Sequence, residues 1–197
     1  SLLLFSTLLG GNGTDEAYGL VAENGEVYVA GWTQSTDFPV RNAYRSTYSG
    51  GEYDSFVAKL SSGGSSLAFA TYLGGRGTDN ANGLAVASGC AFVVGWTQST
   101  DFPVLTPYQA SSASPDYYDV FVAKLASSGS RLLYSTYLGG TDYDYGYGVA
   151  VEDGAAYLTG YTRSTSFPLE SAYQTTLANE EVFAAKLSST GSRLLYS

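Results

Sequence analysis

Three long sequence motifs recur along the chain at a nearly constant spacing of 62 to 65 residues. The copies begin at Thr7, Thr71 and Thr136 for the first motif, at Gly31, Gly95 and Gly160 for the second, and at Phe56, Phe121 and Phe183 for the third. A fixed period of this length is typical of repeat architectures, in which each unit buries its apolar faces against its neighbours. The chain is therefore predicted to consist of three copies of one structural unit.

Each unit has the pattern of four short β-strands. In the second unit these are predicted at residues 82–87, 90–97, 120–125 and 131–138. Ser88-Gly89 marks a tight hairpin turn between the first two strands, and no window carries the apolar periodicity of a helix. Short strands, regular turns and a fixed period favour an all-β fold, a β-propeller of four-stranded antiparallel blades. A β-sandwich rarely repeats its sequence so closely, and a parallel β-helix has shorter repeats.

The blades are predicted to follow one another directly along the chain. Blade 1 covers residues 10–73, blade 2 covers 74–138, and blade 3 covers 139–197 with an incomplete last strand. Residues 1–9 resemble the fourth strand of a blade and are predicted to be a closing strand.

The motifs resemble a known bacterial repeat. Three motifs carry the resemblance. The first is Tyr-Ser-Thr-Tyr-Leu-Gly-Gly at 134–140, followed by Asp-Tyr-Gly-Tyr-Gly at 144–148. The others are the segments that end in Asp-Phe-Pro and the strands with the sequence Phe-Val-Ala-Lys-Leu. Together they are similar to the SBBP family of seven-bladed β-propeller repeats. The resemblance implies a secreted or cell-surface bacterial protein without catalytic residues. The sequence departs from the pattern at Ser166, where the other repeats have Asp37 and Asp101.

Three blades are fewer than the four to eight of closed propellers. They would leave unpaired edges, which soluble proteins avoid. We therefore expect self-association, either of two half-propellers that exchange the strand at residues 1–9 or in a larger assembly. The other interpretation is that the chain is a piece of a longer propeller.

Composition excludes several classes of function. The absence of histidine removes Ser-His-Asp chemistry, and the single Cys90 cannot form an internal disulfide. A net charge of −9 argues against nucleic acid as a partner, and no apolar stretch is long enough for membrane insertion. The lack of methionine predicts a mature or trimmed chain, which together with the hydroxyl-rich composition favours an extracellular or cell-surface location.

The loops predicted for one face of the propeller concentrate negative charge. The connections at 10–17, 74–81 and 139–146 and the long loops at 33–54, 97–119 and 162–181 contain 14 acidic residues and 4 arginines. Such a face suits a cation, a basic protein or a hydroxyl-rich glycan. Asp15, Asp79 and Asp144 occupy one repeat position there. They are expected either to cap a turn or to bind calcium, which is the one possible cofactor.

Aromatic residues are the other candidates for ligand contact. Trp32, Trp96 and Tyr161 follow the glycine of the second strand and either stack on sugar rings or fill the core between blades. Tyr44, Tyr108 and Tyr173 lie in the long loops and are expected to be more exposed. The predicted ligand-binding set consists of these six aromatic residues with Asp37 and Asp101.

The sequence favours a non-catalytic module for assembly, adhesion or binding of a glycan or surface protein. A carbohydrate-binding propeller is the alternative, and a polysaccharide-active enzyme is a third. Near-identical repeats argue against an enzyme, because acid–base catalysis needs one asymmetric site.

Overall fold

The computed structural model describes residues 2–197, and the chain forms twelve β-strands there. Their bounds are β1 Asp15–Glu23, β2 Glu26–Thr33, β3 Asp54–Leu60, β4 Leu67–Leu73, β5 Asp79–Ala87, β6 Cys90–Thr97, β7 Asp119–Leu125, β8 Leu132–Leu138, β9 Asp144–Glu152, β10 Ala155–Thr162, β11 Glu181–Leu187 and β12 Leu194–Tyr196. No helix occurs among these residues. The all-β prediction is confirmed, and β6 has the predicted bounds.

The strands form three separate four-stranded antiparallel sheets. Each is a simple meander: β1-β2-β3-β4, β5-β6-β7-β8 and β9-β10-β11-β12. The sheets are open and do not close into a ring, so the chain is a three-bladed part of a propeller. Each sheet falls within one of the three sequence units, and we call the sheets blades 1, 2 and 3.

Tight two-residue turns join the first and second strands of every blade. The residue pairs are Asn24-Gly25, Ser88-Gly89 and Asp153-Gly154, and all six residues have φ between 50° and 81°. Positive φ at both central residues gives a turn whose twist matches that of paired antiparallel strands. The predicted turn at Ser88-Gly89 is therefore confirmed.

The blades pack face to face around their first strands. β1 contacts β5, and β5 contacts β9, so the first strand of each blade is innermost and the fourth is outermost. Two apolar cores fill the junctions. Val57 and Phe69 of blade 1 meet Val93 and Phe121 of blade 2 in the first. Val94, Val120 and Val122 of blade 2 meet blade 3 residues such as Leu158 in the second.

The long loops between the second and third strands fold along the outer edge of their own blades. Arg41 forms an isolated bridge with Ala70, Leu105 with Ser135, and Gln109 with Tyr137. These contacts give the fourth strand a partner on its free side. A covered edge is a common protection against pairing with another chain.

The N-terminal segment belongs to no strand of this chain. Residues 2–9 have no β-pairing, and Leu2, Leu3, Leu4 and Leu8 are exposed. Its predicted role as a closing strand needs a second chain and stays a prediction. The residues described include no helix that could cross a membrane.

Candidate ligand-binding face

Aromatic side chains gather at one end of all three blades. This end carries the loops that enter the first and third strands, and we call it the loop face. The side chains form an aromatic belt, defined as Tyr18, Trp32, Tyr53, Trp96, Tyr118, Tyr143, Tyr145, Tyr147 and Tyr161.

The belt is continuous from blade 1 to blade 3. Ring centroids are 4.6 Å apart for Trp32 and Tyr53, 6.0 Å for Tyr53 and Trp96, 4.5 Å for Trp96 and Tyr118, 5.5 Å for Tyr118 and Tyr145, and 4.8 Å for Tyr145 and Tyr161. These separations are those of stacked and edge-to-face aromatic pairs, which stabilise one another beyond simple burial. The belt is thus a preformed surface rather than a set of independent side chains.

The two ends of the belt are its most exposed parts. Tyr18 is 55% exposed and Tyr147 is 50% exposed, whereas Trp96 in the middle is 9% exposed. The Trp32 indole N–H donates a hydrogen bond to the Tyr18 hydroxyl at 3.4 Å, and that hydroxyl donates to Glu16 at 2.6 Å. Apolar ring surface and carboxylate acceptors therefore lie side by side.

Burial raises the pKa of several belt phenols. Burial raises the pKa of Tyr53 to about 12, and the nearby Glu52 adds to that effect. Burial, with Tyr161 as the next cause, also raises the pKa of Tyr145. Neutral phenols keep their O–H groups as hydrogen-bond donors.

A cation lies beside the blade 3 end of the belt. Arg163 Nη2 forms an ion pair with Glu180 at 2.6 Å, and its guanidinium lies 5.9 Å from the Tyr143 ring centroid. The belt therefore offers carboxylate, phenol and guanidinium groups beside ring faces.

The structure brings Trp32, Trp96 and Tyr161 of the predicted set into the belt. The three rings pack on neighbouring rings while their strands form the blade junctions, and their stacking on sugar rings stays a prediction. Sequence reasoning missed all six tyrosines that join them, and among these Tyr53 and Tyr118 have the clearest sequence signal. Each directly precedes the Asp that begins the third strand of its blade.

The loop tyrosines lie apart from the belt. Tyr108 is 38% exposed and Tyr173 is fully exposed, as predicted, but Tyr44 is half-buried against the core between blades 1 and 2. All three belong to loops that run along the outermost strand, whereas the belt aromatics lie on or beside inner strands. The predicted aromatic residues therefore form two groups, one on the loop face and one at the outer edge.

Asp37 and Asp101 organise the loop that precedes the first strand of their blades. Asp37 accepts hydrogen bonds from the backbone and side-chain N–H groups of Asn12 at 2.8 and 2.6 Å. Asp101 accepts from the Arg76 backbone at 2.8 Å. In blade 3 the Ser166 hydroxyl accepts from the Thr141 backbone at 3.1 Å, so it keeps one of these contacts without the charge.

Asp15, Asp79 and Asp144 cap the same loops, because each accepts a hydrogen bond from a glycine N–H in the loop before the first strand of its blade. Asp79 is fully buried and accepts hydrogen bonds from the Gly75 backbone N–H at 2.8 Å, the Ser99 hydroxyl at 2.8 Å and the Thr97 hydroxyl. Asp15 accepts from the three equivalent groups, and Asp144 accepts from the Gly140 backbone N–H and the Ser164 hydroxyl. This is the capping arrangement that the sequence offered as the alternative to calcium.

A further pair of aspartates was missed by sequence reasoning. Asp54 and Asp119, which begin the third strands of blades 1 and 2, are both buried. Asp54 lies with Asp79 against the Cα of Gly74, and Asp119 lies with Asp144 against that of Gly139. Each blade junction thus encloses two carboxyl groups, so part of the acidity counted on the loop face is internal. The available signal was the Asp two positions before Phe56 and Phe121 in the first two Phe-Val-Ala-Lys-Leu motifs.

Burial dominates the titration of these carboxyl groups. It raises the pKa of Asp79 to about 7 and that of Asp54 to about 6, with hydrogen bonds opposing the rise. Burial also raises the pKa of Asp144 to about 6. Asp54 Oδ1 is buried without a hydrogen-bond partner, which suits a carboxyl pair that holds a proton.

We expect chelation to leave the thermal stability unchanged. Among residues 2–197 no three acidic, Cys or His side chains converge as a metal-binding group, and the Asp79 oxygens already accept three hydrogen bonds. The measurement is the melting temperature with EDTA and with added calcium. A drop with EDTA that calcium restores would contradict the capping interpretation, because a ligand of the native state stabilises by mass action.

The third-strand lysines are held by local contacts. Lys59 forms a 2.6 Å ion pair with Glu26 and lies over the Tyr28 ring. Lys124 and Lys186 lie 4.7 and 4.6 Å from the ring centroids of Phe92 and Tyr157. Lys59 is therefore fixed by an ion pair and a ring contact.

Comparison with known proteins identifies the repeat. Residues 4–39 match the family described as SBBP, a beta-propeller repeat. No curated protein matches the chain. The matched segment contains the first two recurrent motifs, which return twice more along an all-strand chain of four-stranded antiparallel blades. Residues 4–39 are therefore similar to one beta-propeller repeat of the SBBP family.

Proposed function

We propose that this chain is a non-catalytic propeller module for assembly, adhesion or ligand binding, located outside the cell or on its surface. The hydroxyl-rich composition and only three lysines support that location. Sensitivity of the native protein to protease added to intact cells tests it, and full protection would overturn it.

The buried carboxyl groups support a non-catalytic role. Glycoside hydrolysis needs two carboxyl groups that reach the substrate from opposite sides. Asp54, Asp79, Asp119 and Asp144 are at most 1% exposed, and hydrogen bonds hold them to their own loops. They serve the blade junctions rather than an open cleft.

Carbohydrate is the ligand class that the loop face fits best, and the continuous aromatic belt is the observation that carries this proposal. The C–H face of a sugar ring packs on an aromatic ring, while its hydroxyls need polar partners nearby. Tyr18 and Tyr147 provide exposed rings, and Glu16, Glu180 and Arg163 provide acceptors and donors. A belt that crosses three blades suits an extended glycan.

We expect the double variant Tyr18→Ala/Tyr147→Ala to lose glycan binding. A glycan array followed by calorimetry with the best polysaccharide hit measures the affinity. Removing two exposed rings worth about 1 kcal/mol each weakens binding by at least roughly tenfold.

Tyr108→Ala is the matched control, because this tyrosine is also exposed but lies in the long loop of blade 2. Its affinity should equal that of the unmodified chain. Binding lost only in Tyr108→Ala would contradict the belt as the site and indicate the outer edge instead. No binding to any glycan on the array would contradict the carbohydrate proposal and leave only the assembly role.

A further inference from the structure

The outer face of blade 3 exposes residues whose counterparts in blade 2 are buried. Val182 is 80% exposed, while the equivalent Val120 is fully buried against blade 3. Ala184 is likewise exposed, and its counterpart Val122 is fully buried. The repeat itself therefore shows what kind of surface covers this face, namely the inner strands of a following blade.

The outer face of blade 1 exposes the complementary set. Leu20 is 70% exposed, whereas its counterpart Leu84 packs against the core between blades 1 and 2. Ala17 is exposed, and its counterpart Ala81 is fully buried. In the junction of blades 2 and 3, the corresponding Gly146 lies directly against Val94 and Val120. Blade 1 thus exposes the kind of surface that would cover the outer face of blade 3.

An apolar groove marks the same edge of blade 3. It has a volume of about 410 Å³, and Phe167, Phe183 and Tyr196 are among the residues that line it. In blade 2 the corresponding phenylalanines, Phe102 and Phe121, are covered by Tyr137 of the fourth strand, whose ring lies 6.1 Å from that of Phe102. The groove is the place that the end of a fourth strand occupies in the other blades.

Residues 7–9 have the sequence of that missing strand end. Leu8 holds the repeat position of Tyr72 and Tyr137 and is 99% exposed, whereas those tyrosines are 1% exposed. Leu9 holds the position of the fully buried Leu73 and Leu138.

The N-terminal segment already lies partly where the fourth strand of a preceding blade would lie. The Phe5 ring packs on Gly64, as Phe69 packs on Gly129 and Tyr134 packs on Gly191. These three aromatic residues hold the same repeat position as Tyr196. If blade 3 of another copy precedes blade 1, the position against Gly64 is therefore taken either by Phe5 or by Tyr196 of that other copy.

We propose that the outer face of blade 3 binds the outer face of blade 1 of a second copy of this chain, with residues 7–9 of that copy in the groove. Val182 then packs against Ala17 and Leu20 of the second copy, as Val120 packs against blade 3. Two copies make two such junctions and give six blades, which lies within the range of closed propellers. Closure buries both exposed faces, and residues 7–9 of the second copy complete the fourth strand of blade 3.

The oligomeric state of the 197-residue chain tests this proposal. Light scattering after size exclusion should give twice the chain mass of 20.7 kDa. Val182→Asp and Leu20→Asp should each shift the protein to the monomer mass, because each places a charge in both junctions. Both side chains are exposed in one chain, so the variants should keep the β-sheet circular dichroism of the unmodified chain.

Mixing the two variants distinguishes the proposed junction from nonspecific association. The Leu20→Asp chain keeps an intact blade 3 face, and the Val182→Asp chain keeps an intact blade 1 face, so the mixture should regain a dimer through one junction. Val104→Asp, in an exposed loop of blade 2, is the control that should leave the dimer intact. A monodisperse monomer of the unmodified chain would overturn the proposal. So would a dimer that Val182→Asp does not weaken at least tenfold.

Deleting residues 1–9 tests the role of the N-terminal segment. The truncated chain should lose the dimer, because the groove of the partner is then left without a strand. A truncated chain that still forms the dimer would contradict the placement of residues 7–9.

Discussion

Replacing Gly95 by alanine is expected to destabilise the fold by about 3 kcal/mol. A methyl group there would overlap the backbone carbonyl oxygen of Asn80 on the neighbouring strand and would lie 2.8 Å from the Phe121 ring. Neither neighbour can move freely, since one is strand backbone and the other is a buried core ring. Gly31 and Gly160 meet the same obstacle at Glu16 and Tyr145. The glycine that begins each second motif is therefore a steric requirement of the blade.

Thermal unfolding measures this effect, and a loss of roughly 10 °C is expected for a chain of this size. Gly63→Ala is the matched control, because the nearest atom to its added methyl group is the Ser65 hydroxyl oxygen at 3.9 Å. The control should stay within about 0.5 kcal/mol of the unmodified chain. Equal melting temperatures for the two variants would contradict this prediction, because they would mean that β5 and β6 can move apart around the methyl group with little loss of stability.

The blade architecture was open to sequence reasoning because it depends on local rules. Ser88-Gly89 can adopt the positive φ of a hairpin, and the aromatic and β-branched residues of β6 favour a strand, so both were predicted correctly. The strand β5 begins at Asp79, three residues before its predicted start. A register shift between Ala81 and Gly83 interrupts the alternation there and hides the strand from a periodicity argument.

The candidate site was less predictable because it depends on contacts between blades. Trp32 and Trp96 were identified from their repeat positions, but the link between them is Tyr53, which contacts both rings. The path of the long loops was also not evident, so Tyr44 was expected to be exposed, whereas it packs against the core between blades 1 and 2. Repetition predicts equivalent positions, whereas a continuous surface requires knowing which positions of adjacent units meet.

The buried carboxyl pairs show the same limit. Asp79 was weighed as a turn cap or a calcium ligand from its own loop alone. The structure adds Asp54 of the preceding blade, which is buried beside it. Two carboxyl groups that share a dry junction cannot both ionise without a large cost. The stability of the blade junctions is therefore tied to the protonation of these groups.

We expect the protein to become less stable as the pH rises from about 4 to about 7. Burial raises the pKa of Asp79 to about 7 in the folded chain, whereas an unfolded aspartate has a pKa of about 3.9. Between these values the folded state binds more protons than the unfolded state, so the free energy of unfolding falls with increasing pH. At about 1.4 kcal/mol per pKa unit, Asp79 alone gives a loss on the order of 4 kcal/mol.

Melting temperatures from pH 5 to pH 8 check this prediction, and Asp79→Asn is the decisive variant. Asparagine is neutral at every pH and nearly the same shape, so the decline with pH should be much smaller in this variant. Asp116→Asn, at an exposed loop position, is the control and should keep the full decline. A melting temperature that is flat or rises toward pH 8 in the unmodified chain would contradict the prediction, because it would mean that the junction stabilises the ionised carboxylates.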